Sequence, residues 1–176
     1  VCRTDNDAYQ IFEVLNATGI GLSVADLVKN AVIQSAKGEE SKSIVESKWE
    51  ELEKLFEENR ISLFPKFLRN QWISGEGYIS TNKLFEEIKR TKLKSKENEE
   101  VIRYTDDLVN DAKIYIALRS KGNDNFFIKK LDQRSKEIID RFRYLDLDQV
   151  YELILAYYKK FKIDDNYKVG QFNRDL

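Results

Sequence analysis

The sequence predicts a mostly α-helical protein, built as a multi-helix, bundle-like domain. Apolar residues recur every three or four positions along most of the 176 residues, which is the spacing of a helix face. Glycine and proline are scarce, with seven Gly and one Pro, whereas an all-β fold needs many tight turns. Apolar residues make up 41% of the chain and charged residues 35%, a balance that suits a packed interior beneath a charged helical surface.

The first two helices are predicted to lie on either side of a short turn. They cover about residues 5–18 and 24–36. Gly19 stands where the end of the first helix needs a residue that tolerates the left-handed conformation. Ser23 is placed to cap the second helix, and Asp26, three positions later, gives the spacing of a capping box. The turn is therefore specified from both sides.

A polar connector at residues 36–43 is predicted to lead into a third helix. Pro65 fits the first turn of a fourth helix, because the N–H that proline lacks is not needed there. The glycines in residues 74–80 predict a loop. The apolar positions of the third helix are Ile44, Val45, Trp49, Leu52 and Phe56, and those of the fourth are Phe64, Phe67, Leu68 and Trp72.

Four more helices are predicted from residue 84 onwards. Leu84, Phe85 and Ile88 begin a helix that ends in the charged run 89–100. The next contains Leu108, Ala112, Tyr115 and Ile116, and a turn at residues 120–124 separates it from continuous helix over 126–143. Asp146 and Gln149 open the last helix with capping-box spacing. Its predicted apolar stripe is Val150, Leu153, Ile154, Tyr157, Tyr158 and Phe161.

Several classes of site are excluded by residues that the sequence lacks. Without His, the usual Ser-His and Cys-His nucleophiles and most transition-metal sites are absent, and no Gly-x-x-x-x-Gly-Lys-Ser/Thr phosphate loop occurs. A single Cys2 excludes an internal disulfide and fits a reducing, cytoplasmic location. No apolar run approaches the roughly 20 residues that span a bilayer, so no membrane association is expected. We expect no catalytic residue, metal site or cofactor in this chain.

Residues 11–34 resemble a family signature. Their pattern reads Phe-Glu-x-x-Asn-x-x-Gly-x-x-Leu-Ser-x-x-Asp-Leu-x-Lys-Asn. It resembles the closing signature of the ParB-like N-terminal domain in GmrSD-type modification-dependent restriction endonucleases. The matching residues are Phe12, Glu13, Asn16, Gly19, Leu22, Ser23, Asp26, Leu27, Lys29 and Asn30. A weaker similarity in the order of later segments extends the resemblance over most of the chain.

The resemblance implies two segments. Residues 1–38 would be the C-terminal end of a ParB-like α+β domain, reduced to its helix–turn–helix pair, and residues 39–176 a helical domain incomplete at its C-terminus. In this family the ParB-like fold binds and hydrolyses nucleoside triphosphates (NTPs), and an HNH nuclease domain often follows the helical region. The family's Asp-Gly-Gln-Gln-Arg motif is absent here, and a chain without His cannot supply the HNH residues. Since the chain starts at Val1 and contains no Met, we expect a piece of a longer protein, with N-terminal and C-terminal domains missing.

Three residues of the signature are implied to contact a nucleotide. Asn16, Gly19 and Lys29 would help to close a site whose main residues lie upstream. Position 18 is Thr where many family members have Arg, which removes one phosphate contact. From the residues alone, Asn16 could instead bond the turn, and Lys29 could pair with Asp26.

Two basic regions are candidates for DNA contact, because Lys and Arg release counterions from phosphates. Residues 89–96 hold five basic residues and no acidic one, and residues 113–143 hold nine basic and four acidic residues. The candidate residues are Lys89, Arg90, Lys92, Lys94, Lys129 and Lys130. A solvated helical surface has the same composition, and the net charge of −1 does not indicate a general polyanion binder.

Other charged groups are weaker candidates. Glu46–Lys48 and Glu87–Lys89 match the Glu-x-Lys motif of some nucleases but lie in helical patterns. Asp106–Asp107 and Asp164–Asp165 could ligate a divalent ion, but they are interpreted as solvated helix ends. The expected function is therefore a non-catalytic piece of a GmrSD-like restriction or phage-defence protein. In the intact protein, NTP binding would be coupled to cleavage of modified DNA with a divalent metal. The alternative is a non-catalytic helical protein–protein interaction module, and the sequence does not predict the oligomeric state.

Overall fold

The computed structural model describes residues 23–59, 63–120, 126–145, 147–161 and 173–175. These ranges are predominantly helical and contain no β-strand. The prediction of a mostly α-helical fold is confirmed. The predicted first helix, with Asn16 and Gly19, lies outside the described residues.

Eight α-helices and one π-helix follow one another in the described ranges. They are α1 (Val24–Ser35), α2 (Glu39–Asn59), α3 (Phe64–Glu76), α4 (Thr81–Ile88), the π-helix (Lys89–Leu93), α5 (Asn98–Arg119), α6 (Phe126–Lys130), α7 (Gln133–Leu145) and α8 (Asp148–Phe161). Among them, none combines the length and the apolar character that crossing a membrane requires.

Contacts along the chain define two compact units. The first consists of Val1–Trp49 and Ser80–Thr105, and the second of Glu50–Ile79 and Asp106–Leu176. The boundary near residue 38 stays a prediction. It comes from the family resemblance, and domains defined in that way need not coincide with units defined by contacts within the structure.

The core of the first unit is built around α1. This helix packs against α4 and against the π-helix. Val28 and Val32 of α1 are fully buried. Ile88 of α4 and Leu93 of the π-helix are also buried, with no more than 3% of their surface exposed. The connection from α1 to α2 is held by Asn98, whose side-chain amide exchanges two hydrogen bonds of 2.8 Å with the backbone of Lys37. The helix that ends the family signature is thus a central element of its unit.

The core of the second unit contains a chain of aromatic rings. The Phe56 and Phe64 rings stack with centroids 4.7 Å apart, Phe67 lies 5.4 Å from Tyr115, and Tyr115 lies 6.1 Å from Tyr151. These residues come from α2, α3, α5 and α8, so the rings join four helices. The predicted core face of α3 is confirmed, since Phe64, Phe67, Leu68 and Trp72 are all buried.

Arg143 of α7 closes the C-terminal end of α5. Its guanidinium donates to the carbonyl oxygens of Leu118 at 2.7 Å and of Ala117 at 2.6 Å. The last carbonyls of a helix have no partner within the helix, so this side chain satisfies two of them. The Arg119 guanidinium carbon lies 4.6 Å from the Tyr151 ring centroid, in a cation–π contact between α5 and α8.

Several predicted boundaries are wrong. The connector at residues 36–43 is shorter, because α2 begins at Glu39 and two acidic residues in its first turn favour a helix start. The first part of the loop predicted at residues 74–80 is helical, because α3 extends to Glu76. The helix is followed by Gly77, whose φ of 97° is a conformation that favours glycine. The charged run 89–100 contains the π-helix and the start of α5 rather than only irregular chain.

The prediction of one continuous helix over residues 126–143 is also wrong, because α6 and α7 divide this range. The helix is interrupted between Lys130 and Gln133, and Asp132 explains why. The Asp132 carboxylate accepts a hydrogen bond of 2.7 Å from the backbone N–H of Ser135, which caps a new helix. This bond lowers the pKa of Asp132. Asp106 and Asp107, interpreted as a helix end, lie instead in the middle of α5.

The predicted apolar stripe of the last helix is rotated by about one position. Leu153 is 70% exposed, whereas Tyr151, Ile154 and Leu155 are buried. The helix begins at Asp148, and Asp146, its predicted cap, lies outside the described residues. Because α8 packs against α3, the partner helix determines which side faces inward. Ile44 of α2 was likewise expected in the core and is 38% exposed.

Candidate functional site

The N-terminus of α1 carries the described part of the family signature. Ser23 is the N-cap, with φ −73° and ψ 160°, and its hydroxyl oxygen accepts a hydrogen bond of 3.2 Å from the backbone N–H of Asp26. The Asp26 carboxylate accepts bonds from the backbone N–H of Ser23 at 2.7 Å and from its hydroxyl at 2.8 Å. The capping box predicted by the spacing is present, which gives Ser23 and Asp26 a structural role.

We expect Ser23→Ala to destabilise the protein by about 1 kcal/mol, because an N–H at the helix start loses its acceptor. Urea unfolding followed by circular dichroism measures the change. Ser43→Ala is the matched control, since Ser43 is exposed in the interior of α2 and caps nothing. Equal midpoints for the two variants would show that the capping box contributes nothing.

The resemblance implies that three residues contact a nucleotide, and the structure describes one of them. Lys29 lies on α1, three residues after Asp26, and is half-buried. Its side chain carries an ammonium group, a common phosphate ligand in proteins. Asn16 and Gly19 lie outside the described residues.

Residues 89–96, here called the basic segment, form the π-helix and the turn after it. The Arg90 guanidinium lies 2.6 Å from the Glu87 carboxylate, and the hydrogen bond to Glu87 raises the pKa of Arg90. Lys89 Nζ lies 6.0 Å from the Phe85 ring centroid, and Lys94 is exposed. Leu93 is buried and anchors the segment.

The other two DNA candidates lie elsewhere. Lys129 and Lys130 are exposed residues in the last turn of α6, which belongs to the second compact unit, whereas the basic segment belongs to the first. The structure therefore divides the six candidates into two separate groups.

A polar cluster centred on a buried carboxylate joins α3, α5 and α8 in the second unit, and none of its residues is predicted as a site from the sequence. Asp111 is 5% exposed, and its Oδ2 accepts a hydrogen bond of 3.0 Å from the side-chain amide of Gln71. The ammonium group of Lys159 lies 3.3 Å from the same oxygen. It also donates to the Gln71 carbonyl oxygen at 3.4 Å and to the Ser74 hydroxyl at 3.2 Å.

The glycine beside this cluster leaves room for the lysine. A Cβ atom at Gly75 would lie 3.3 Å from Lys159 Nζ, which is closer than ordinary van der Waals contact. The ammonium group has three hydrogens and three oxygen partners, so its donors are all accounted for.

Burial raises the pKa of Asp111, and Lys159 opposes this effect without cancelling it. A carboxylate with a raised pKa is one sign of a functional site. Here its partners are all side chains of neighbouring helices, so we interpret the cluster as a structural network that positions α8. One signal in the sequence was available, since Asp111 lies between Leu108 and Tyr115 on the apolar side of its helix.

In the ranges that the structure describes, no group of three or more His, Cys, Asp or Glu side chains is placed to hold a metal ion.

Comparison with known proteins adds no relative to this picture. No family model matches the chain, and no curated protein or solved structure matches it significantly. The candidate sites therefore rest on the residues of this chain and on their geometry.

Proposed function

We propose that this chain is a non-catalytic piece of a GmrSD-like restriction or phage-defence protein of the cytoplasm. In the intact protein, NTP binding would be coupled to cleavage of modified DNA. The NTP and a divalent metal would be held mainly by residues beyond this chain. Asn16, Gly19 and Lys29 would close one edge of the nucleotide site.

The observation that carries this proposal is the dense pattern between Phe12 and Asn30. The capping box at Ser23 supports it indirectly, because it assigns the Ser and Asp of the pattern to the turn. Lys29, one helical turn after Asp26, carries the charge that is typical of phosphate ligands.

The packing of the first unit supports a coupling role for α1. This helix contacts α4 and the π-helix, so a displacement of its N-terminal end would be passed directly to the basic segment. Packed elements of this kind can carry energetic coupling between two sites.

The test uses the intact protein and a titration with a fluorescent NTP analogue. Lys29→Met is expected to weaken binding about tenfold, because one charge-assisted hydrogen bond to a phosphate is lost. Lys37→Met is the control, since Lys37 is exposed in the connection after α1 and lies outside the pattern. Equal affinities in the two variants would contradict the role of Lys29.

A second measurement tests the missing catalytic motif. Isolated Val1–Leu176 is expected to hydrolyse no NTP, whereas the intact protein should hydrolyse it if an Asp-Gly-Gln-Gln-Arg motif is encoded upstream. Normal turnover by the isolated chain, or an upstream sequence without that motif, would refute the proposal.

A helical interaction module remains the second candidate function, and one observation favours it. Large apolar side chains are exposed at the end of α7, in the connection that follows and on α8, namely Tyr144, Leu145, Leu147 and Leu153. Apolar side chains exposed together on a surface are typical of protein contacts. A coding sequence without an upstream nucleotide motif would favour this alternative.

A further inference from the structure

The basic segment is presented on a packed support. The π-helix continues directly from α4, and Ile88 and Leu93 at its two ends are buried in the first unit. α1 packs against it from within the same unit. π-helices are rare and frequently occur at functional sites. The cations between the two buried anchors are therefore attached to an ordered backbone.

The backbone of this segment has little capacity left for a compact anion. The N–H of Lys94 donates to the Lys89 carbonyl oxygen at 2.8 Å, and the N–H of Lys96 donates to that of Leu93 at 3.2 Å. Loops that cradle one phosphate cluster do so with unpaired backbone N–H groups. With these two N–H groups engaged, the long side chains are the main groups of the segment that can reach a ligand, which suits phosphates spread along a polymer.

The acidic neighbours do not block such a surface. Glu87 pairs with Arg90, and Glu100 pairs with Lys96 at 3.0 Å. The side chains of all four are at least one-third exposed, and ion pairs of this kind contribute little to stability. A phosphate can therefore replace either carboxylate at small cost, and it offers arginine two oxygens for a bidentate contact.

We propose that the basic segment is the principal contact of this chain with the phosphate backbone of duplex DNA. Of the two basic groups, this one brings five cations within eight residues, whereas Lys129 and Lys130 are two cations on a helix of five residues. The choice of DNA as the polyanion rests on the proposed function. The assignment to this segment rests on its charge and backbone geometry.

The experiment measures the affinity of purified Val1–Leu176 for a fluorescent DNA duplex by anisotropy, at several salt concentrations. The logarithm of the association constant falls with the logarithm of salt by about 0.9 per phosphate neutralised. Lys92→Gln/Lys94→Gln should reduce this slope by about 2, since each lysine on a phosphate contributes about 1. Lys129→Gln/Lys130→Gln removes the same charge and should leave the slope within about 0.5 of the original.

Two further variants separate charge from folding. Lys92→Arg/Lys94→Arg keeps the charges and should keep the slope, and circular dichroism should show the same helicity in every variant. An unchanged slope in Lys92→Gln/Lys94→Gln overturns the inference, as does an equal loss in the α6 variant. Absence of binding, or preferential binding of an RNA duplex of equal length, overturns it as well. The titration of the intact protein with NTP reports on the proposed function independently of all these results.

Discussion

Replacing Lys159 with Met is expected to destabilise the protein by about 3 kcal/mol at neutral pH, since removal of one partner leaves a buried charge uncompensated. Lys159 supplies the cation 3.3 Å from Asp111, and the Asp111 side chain is only 7% exposed. Methionine retains the apolar stem of lysine, so most of the loss is electrostatic. Urea unfolding followed by circular dichroism measures it.

The loss should depend on pH in a defined direction. Burial raises the pKa of Asp111 above its ordinary 3.8, so the folded state binds this proton more tightly than the unfolded state does. The cost of burying the ionised carboxylate is therefore present above the folded-state pKa and is relieved as pH falls through it. Without Lys159 that pKa rises further, because Lys159 lowers it. The gap between wild type and variant should narrow from about pH 7 to about pH 4.

Two variants control for this interpretation. Lys160→Met changes the neighbouring, exposed lysine on α8 and should cost less than about 0.5 kcal/mol. Adding Asp111→Asn to Lys159→Met removes the buried charge and should recover much of the loss. A loss that is independent of pH, or no larger than that of Lys160→Met, would rule out a buried ion pair.

Phe67→Ala is expected to cost about 3–5 kcal/mol, the range for removing a buried phenylalanine. Phe67 is fully buried, and its ring centroid lies 5.2 Å from that of Phe56 and 5.4 Å from that of Tyr115. The truncation opens a cavity between α2, α3 and α5. The free energy of unfolding from urea titration gives the magnitude.

Leu153→Ala provides the contrast for this prediction. The apolar periodicity of the sequence places Leu153 in the core, but the residue is 70% exposed. The substitution should therefore lower the free energy of unfolding by less than about 0.5 kcal/mol. If Leu153→Ala costs as much as Phe67→Ala, then Leu153 is in the core, as the periodicity of the sequence predicts, and the orientation of α8 in the structure is wrong.

Local signals in the sequence predicted two helix starts correctly. The capping box of Ser23 and Asp26 and the position of Pro65 in the first turn of α3 are both present. Each depends on residues within one turn of the chain, so no distant contact is needed to identify it. The face of α3 was equally clear, because its large apolar residues lie on one side.

Some candidate sites can likewise be found from neighbouring residues in the sequence, and others only from the tertiary structure. The signature and the basic segment could be read from residues adjacent in the chain. The cluster of Asp111, Lys159 and Gln71 could not, because its members are separated by at least 40 residues in sequence. Asp111 alone gives a signal, because it lies on the apolar side of its helix, whereas Gln71 and Lys159 resemble ordinary polar residues on a helix surface.

The sequence by itself determined that this protein is helical and where two of its helices begin. Tertiary structure decided which side of α8 faces inward, that the helix breaks at Asp132, and that a buried carboxylate, Asp111, meets a lysine from another helix. The physical reason is the range of the interactions. Caps and turns act over three or four residues, whereas the burial of a side chain depends on partners that only the folded chain brings together.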